Sequence, residues 1–72
     1  MEITIRQGEE FIRLGQALKK AGIVGSGLDA KMIILEESVQ VNGATETRRG
    51  RKLYPGDTVS YKDTSFQVVK CS

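Results

Sequence analysis

The stretch "RLGQALKKAGIVGSGLDAKMIILEESVQVNG", residues 13–43, decides the fold, because the spacing of its apolar residues changes along it. Leu14 and Leu18 recur at helical spacing, and Phe11 extends the same stripe toward the N-terminus. From Val39 onward the apolar residues alternate with polar ones, a period that is typical of a half-buried strand. The stretch therefore predicts helices followed by strands.

The first helix is expected to open at Gly8, with Glu9 and Glu10 in its first turn, where the helix dipole favours carboxylates. Gly22 is expected to stop it. Its polar face carries Arg13, Gln16 and Lys20, with Lys19 at the edge of that face. This helix therefore separates a buried side from a basic one.

The second helix is predicted over roughly 28–37, after the glycine-rich connector 22–27, with Ser26 or Asp29 as its cap. The residues expected on its buried face are Ala30, Ile33 and Ile34. The residues expected to point away from it are Lys31, Met32 and Leu35. The connector lacks the lysine that a phosphate-binding P-loop requires after its second glycine, because Leu28 stands there.

The rest of the chain predicts short strands. Asn42-Gly43 indicates a hairpin turn, with 45–47 returning antiparallel, and Pro55-Gly56-Asp57 indicates another turn. A closing pair of strands is expected over 58–62 and 66–70, and Ile3 and Ile5 suggest a short first strand. We therefore predict one domain over residues 1–72, of the α+β class, with two packed helices against a small antiparallel sheet.

Composition narrows the chemistry. The 72 residues include one cysteine, Cys71, and no histidine. An intramolecular disulfide is therefore excluded, a zinc site or a catalytic acid–base pair has few candidate residues, and a reducing cytoplasm is favoured. We predict a non-enzymatic, cytoplasmic protein with no cofactor and no metal.

Charge is segregated along the chain. The net charge is only +2, but "RRGRK" places four cations within five positions: Arg48, Arg49, Arg51 and Lys52. Such asymmetry indicates a surface for a polyanion better than the total charge does. A short basic run is also typical of a solvated loop, so this segment alone does not decide between the two.

Residues 13–57 resemble the S-four RNA-binding domain, the alpha-L module named after a protein of the small ribosomal subunit. The matching residues follow the pattern Arg-Leu-Asp-x-x-Leu, Ser-Arg-x-x-Ala and Leu-Ile-x-x-Gly-x-Val-x-Val-Asn-Gly; they are Arg13, Leu14, Leu18, Ser26, Ala30, Ile33, Ile34, Val39, Val41, Asn42 and Gly43. The continuation "TETRRGRKLYPGD", residues 45–57, is most similar to small stand-alone members of the YaaA/YbcJ type. Gly15, Gly27 and Glu37 depart from the family pattern. Glu37 stands at the usual helix-ending glycine, so we expect that helix end to form differently.

The resemblance implies an alpha-L fold and binding to structured RNA, with ribosomal or transfer RNA as the target and the ribosome as a partner. Arginine forks bind phosphates, and A-form RNA presents mainly phosphates and 2′-hydroxyls. Stacking on single-stranded bases fits less well because aromatic residues are few, and Tyr54 is expected to be structural. The predicted RNA-binding residues are Arg13, Lys19, Lys20, Ser26, Lys31, Arg48, Arg49, Arg51 and Lys52.

Two alternatives stay open. The first is a protein-interaction adaptor that uses exposed Met32 and Leu35, with the basic cluster meeting an acidic partner. The second is binding to duplex DNA, which predicts equal affinity for DNA and RNA of matched length.

Overall fold

The computed structural model describes residues 1–71, which form two helices and seven strands. In chain order these are β1 Glu2–Thr4, β2 Ile12–Arg13, α1 Leu14–Lys20, α2 Gly27–Leu35, β3 Val39–Val41, β4 Ala44–Thr45, β5 Lys52–Leu53, β6 Thr58–Tyr61 and β7 Thr64–Val69.

Five of the strands form one sheet in the order β1-β7-β6-β3-β4, and β2 pairs with β5 in a separate two-stranded ribbon. The predicted α+β class is confirmed. The sheet is mixed, because β1 runs parallel to β7 whereas all other neighbouring strands of the sheet run antiparallel. The buried core between the sheet, the ribbon and the helices consists of Ile3, Ile5, Leu14, Ala17, Leu18, Ala30, Ile34, Val39, Val41, Leu53, Val59, Phe66 and Val68.

Helix α1 begins later than predicted. Gly8 makes a turn with φ 89°, and Glu9 and Glu10 lie outside the helix, so the expected acidic first turn is wrong. The cause is long-range pairing. Ile12 lies opposite Leu53 in the ribbon, so the chain ahead of Leu14 is extended rather than helical.

Both helices end in the same Schellman arrangement. At the end of α1, Gly22 has φ 77°, and the N–H groups of Gly22 and Ile23 donate to Lys19 and Leu18 at 3.0 and 3.1 Å. The predicted stop is confirmed.

At the end of α2, the N–H groups of Glu37 and Ser38 donate to Ile34 and Ile33 at 3.0 and 3.2 Å. The expectation of a different helix end is wrong, because Glu37 itself adopts the left-handed conformation, with φ 61°. Such a conformation costs a non-glycine residue about 1 kcal/mol or more. The side chain of Ser26 accepts from the N–H of Asp29 at 3.2 Å, so Ser26 is the N-cap.

The predicted hairpin and turns are largely confirmed. Asn42 and Gly43 both have positive φ, 52° and 85°, as the tight turn between β3 and β4 requires. Asn42 Nδ2 also donates to Asp57 Oδ1 at 3.1 Å, which joins this hairpin to the turn at 55–57. The β6–β7 turn is tighter than expected, because Tyr61 and Thr64 already pair across it.

Candidate nucleic-acid interface

The loop 46–52 is organised around a buried carboxylate that was not among the predicted site residues. The Glu46 side chain is only 7% exposed. It accepts hydrogen bonds from Arg48 Nε at 3.1 Å and from Arg51 Nη1 at 2.8 Å. The backbone N–H groups of Thr47 and Arg48 also donate to it, both at 3.0 Å. A charged group tolerates burial when donors surround it in this way, so Glu46 fixes the shape of the loop.

These donors also set the ionisation of the carboxyl group. Hydrogen bonds from Arg48 first, and from Arg51 second, lower the pKa of Glu46 from its usual 4.5 to about 2, against the opposing effect of burial. The same contact raises the pKa of Arg48. Two of the four cations in "RRGRK" therefore already face a negative charge. The Arg51 side chain is 32% exposed, whereas that of Arg48 is 74% exposed, so Arg48 keeps more surface for a ligand.

Hydrogen bonds attach the loop to the start of helix α1. The N–H groups of Leu14 and Gly15 donate to the carbonyls of Arg51 and Arg49 at 2.8 and 3.0 Å. These are groups that a helix cannot satisfy by itself. The Arg13 guanidinium donates to the carbonyl of Gly50 at 2.9 Å. The loop and the helix start thus form one unit.

Gly15 determines the path of Arg49. A Cβ atom on Gly15 would lie 2.8 Å from Arg49 Cγ, which is closer than real Cβ contacts come. The Arg49 side chain therefore crosses α1 where that helix lacks a side chain. The start of α1 is bonded to the loop at this point, since the N–H of Gly15 donates to the Arg49 carbonyl at 3.0 Å.

Arg49 borders two clefts on this surface. One, of about 330 Å³, lies between the helix starts and the loop, and is lined by Arg13, Gly15, Gln16, Lys19, Gly27, Arg49 and Gly50. The other, of about 290 Å³, is lined by Lys31, Ile34, Leu35, Thr47, Arg49 and Gly50. The structure thus brings four predicted residues around adjoining clefts: Arg13, Lys19, Lys31 and Arg49.

A third groove extends the basic surface along α1. It has a volume of about 260 Å³, shares Gln16 and Lys19 with the first cleft, and adds Ile12, Lys20, Arg6 and Glu9, whose carboxylate lies 3.9 Å from Arg6 Nη1. Lys20 donates to the carbonyl of Thr4 at 2.7 Å. Arg6 was not predicted, because it stands apart from the other cations in the sequence and only the fold places it here.

Two other predicted residues, Ser26 and Lys52, do not line these clefts. Ser26 directly precedes Gly27, which lines the first cleft, and its oxygen already caps α2, which leaves the hydroxyl hydrogen as a donor. Lys52 is exposed on the ribbon, with Nζ 4.9 Å from the centroid of the Phe11 ring. Within residues 1–71, no three His, Cys, Asp or Glu side chains are grouped so that they could hold a metal ion. Neither helix of this described part has the length and apolar character to cross a membrane.

The chain is similar in sequence to proteins that are already known. Residues 3–69 match the family model of the S4 domain. The chain is 51% identical over 61 residues to "Probable ribosome maturation protein RlbA" of Bacillus subtilis, covering 83% of this chain and 86% of that protein. It is 45% identical over 58 residues to YbcJ of Escherichia coli, covering 81% of this chain and 83% of YbcJ.

A solved structure has a similar fold. The solution structure of E. coli YbcJ, described as revealing an alpha-L motif involved in RNA-binding, matches with a TM-score of 0.70 and 38% identity over 94% of this chain and 85% of that one. The predicted alpha-L fold is confirmed. The chain therefore belongs to the S4 (S-four) domain family.

Proposed function

We propose that this protein is a non-enzymatic RNA-binding protein that docks folded RNA through the surface around Arg49. The observation that carries the proposal is the position of Arg49 between two clefts, with Arg13 and Lys19 on one side and Lys31 on the other. The hydrogen bond from Gly15 to the Arg49 carbonyl fixes the backbone of this arginine. An arginine that is anchored through its backbone and flanked by cations suits successive phosphates of one RNA strand.

Ribosomal RNA is the target that we favour, with transfer RNA as the second choice. The relative from B. subtilis carries ribosome maturation in its name, and YbcJ is described as having a motif involved in RNA-binding. Shallow clefts lined by cations fit the phosphates and 2′-hydroxyls that A-form RNA displays. We place the interaction in the cytoplasm, as the cysteine content suggested.

Binding across a salt series tests the proposal. A structured RNA hairpin and a DNA duplex of matched length are titrated with wild type, Arg49→Gln and Lys62→Gln. Lys62 is an exposed cation on the β6–β7 turn, so its variant loses the same charge away from the proposed surface. We expect tighter binding to RNA than to DNA. We also expect Arg49→Gln to reduce the slope of log K against log salt by about 0.7–0.9, the value for one phosphate contact.

The Lys62→Gln slope should match wild type. Equal losses in the two variants would mean that only net charge matters, and equal affinity for RNA and DNA would favour the duplex-DNA alternative. Failure of wild type to bind either nucleic acid above background would refute the proposed function.

A second candidate function rests on an apolar stripe along α2. Leu28, Met32 and Leu35 are 67%, 54% and 60% exposed, and recur at helical spacing. A protein partner could cover this stripe while its acidic residues meet Lys31 and Arg49. Leu35→Lys separates the two functions. Loss of a protein partner with unchanged RNA affinity would support the adaptor, whereas weaker RNA binding would assign this part of the helix to the RNA surface.

A further inference from the structure

The outer face of the two-stranded ribbon combines two aromatic rings with two cations. In the ribbon Ile12 lies opposite Leu53, and Arg13 lies opposite Lys52. Leu53 is buried and Ile12 packs against the core, whereas Arg13 and Lys52 are exposed. Because side chains alternate along a strand, Phe11 and Tyr54 share the outer face with the two cations. Neighbouring positions on one face of the ribbon therefore hold an aromatic pair and a cationic pair.

The distances show how these side chains are arranged. The Phe11 and Tyr54 rings lie 6.0 Å apart, centroid to centroid, at an interplanar angle of 53°. Lys52 Nζ is 4.9 Å from the Phe11 centroid, and Arg13 Cζ is 5.5 Å from it. Cations at such distances are attracted to the ring, so the Lys52 and Arg13 side chains both gather at Phe11. Tyr54 completes the group at its outer edge.

Tyr54 is both exposed and held in position. It is 46% exposed, so its ring keeps surface for a ligand besides the packing on Phe11 that a structural role requires. Its N–H donates to Asp57 Oδ2 at 2.8 Å, and its carbonyl accepts from the N–H of Asp57 at 3.0 Å. It comes directly after β5, which follows the loop that Glu46 fixes. An exposed ring on a fixed backbone can bind a flat ligand with little loss of conformational freedom.

A third cation–aromatic contact, between Lys62 and Tyr61, has a different setting. Lys62 Nζ lies 5.3 Å from the centroid of the Tyr61 ring, but Tyr61 packs against the hydrophobic core. That contact is explained by packing. Tyr54 instead packs its ring against Phe11, and the Arg13 guanidinium on that same Phe11 ring also lines the first cleft of the proposed RNA surface.

We propose that Tyr54 stacks on an unpaired nucleobase next to the docked RNA helix, while Lys52 binds the adjoining phosphate. The proposal rests on the proposed function and adds a ligand class to it: a single-stranded nucleotide at a helix end or bulge. Bases stack on aromatic side chains irrespective of sequence, and cations beside the ring neutralise the backbone. Arg13 connects the two parts, since it contacts Phe11 on the ribbon and borders the cleft beside Arg49.

Three RNAs that share one stem test this proposal. The first is a blunt hairpin, the second carries a short single-stranded extension, and the third carries an abasic extension with the same phosphates but no bases. Loss of a stacked base costs about 5- to 150-fold in affinity. We expect wild type to bind the extension with bases at least about fivefold more tightly than the abasic one. Tyr54→Leu should remove this difference and still bind the blunt hairpin, and Tyr54→Phe should retain it.

Fluorescence provides a direct readout. The chain has two tyrosines and no tryptophan, so in a Tyr61→Phe background the tyrosine emission comes from Tyr54 alone. We expect the extension with bases to quench this emission and the abasic extension to leave it nearly unchanged. Thermal unfolding of each variant checks that the fold is intact.

The outcomes separate the two proposals. Equal affinity of wild type for the two extended hairpins would overturn the stacking proposal and leave RNA docking in place. A difference that persists in Tyr54→Leu would do the same. Failure to bind any of the three RNAs would overturn both.

Discussion

The loop 46–52 and helix α2 flank the same cleft but present their cations in different ways. In the loop, Arg51 and Arg48 bind Glu46, and hydrogen bonds to α1 fix the backbone around Arg49. In the helix, Lys31 is simply exposed, and within residues 1–71 no partner residue arranges it as Glu46 arranges the loop. The end of this helix has an unfavourable backbone conformation at Glu37. The comparison shows that neighbouring arginines of the loop have different roles: Arg48 and Arg51 bind Glu46 and shape the loop, whereas Arg49 borders the clefts.

The largest effect on stability is expected at Arg51. Arg51→Ala removes the 2.8 Å bond to Glu46 and leaves a buried carboxylate with fewer donors. We expect a loss of about 1.5–3 kcal/mol in the free energy of unfolding. Arg48→Ala is the matched control, and because the Arg48 side chain is 74% exposed and solvent screens its ion pair, we expect a smaller loss. Equal losses in urea unfolding would show that the two arginines are not separated by burial.

The second largest effect on stability is expected from acid, which protonates Glu46. The pKa of Glu46 is lowered to about 2, so between that value and 4.5 the unfolded chain binds more protons than the folded one. The stabilisation is complete above the unfolded value and is lost as pH falls toward 2. Allowing for solvent screening of exposed Arg48, we expect a loss of about 1–2 kcal/mol over this window. Unfolding at several pH values measures it, and Glu46→Gln should lack this component. An unchanged pH profile in that variant would contradict the pairing.

The smallest effect is expected at the end of α2. Glu37→Gly removes a non-glycine residue from φ 61° and should stabilise the protein by about 0.5–1 kcal/mol. Gly22→Ala places a side chain at φ 77° in the equivalent position of α1 and should destabilise it by a similar amount. Thermal unfolding of the two variants compares the helix ends directly. A shift in the same direction for both would show that left-handed strain does not govern them.

Local sequence signals predicted the parts of the fold that local physics determines. Asn42-Gly43 specified a hairpin, Ser26 or Asp29 a helix cap and Gly22 a helix end, because each preference acts within a few residues. The start of α1 was mispredicted because Ile12 pairs with Leu53, which is distant in the sequence. The parallel pairing of β1 with β7 was not predicted for the same reason.

The candidate site was also predictable only where neighbouring residues determine it. The basic run around Arg49 was visible in the sequence, but Glu46 was not recognised as its organising residue. Its burial depends on Arg48 and Arg51 folding back onto it, and no spacing rule specifies that. The outer face of the ribbon likewise exists only once β2 and β5 have paired.

RNA affinity of Glu46→Gln tests most directly whether the loop has to be held in place for binding. The substitution changes the net charge from +2 to +3, so electrostatics alone would strengthen binding to RNA. We expect weaker binding to the structured hairpin, because Arg48 and Arg51 lose the carboxylate that fixes the loop around Arg49. Tighter binding by Glu46→Gln, with the fold intact, would mean that the four cations act only through their charge, and it would contradict the roles assigned here to the arginines.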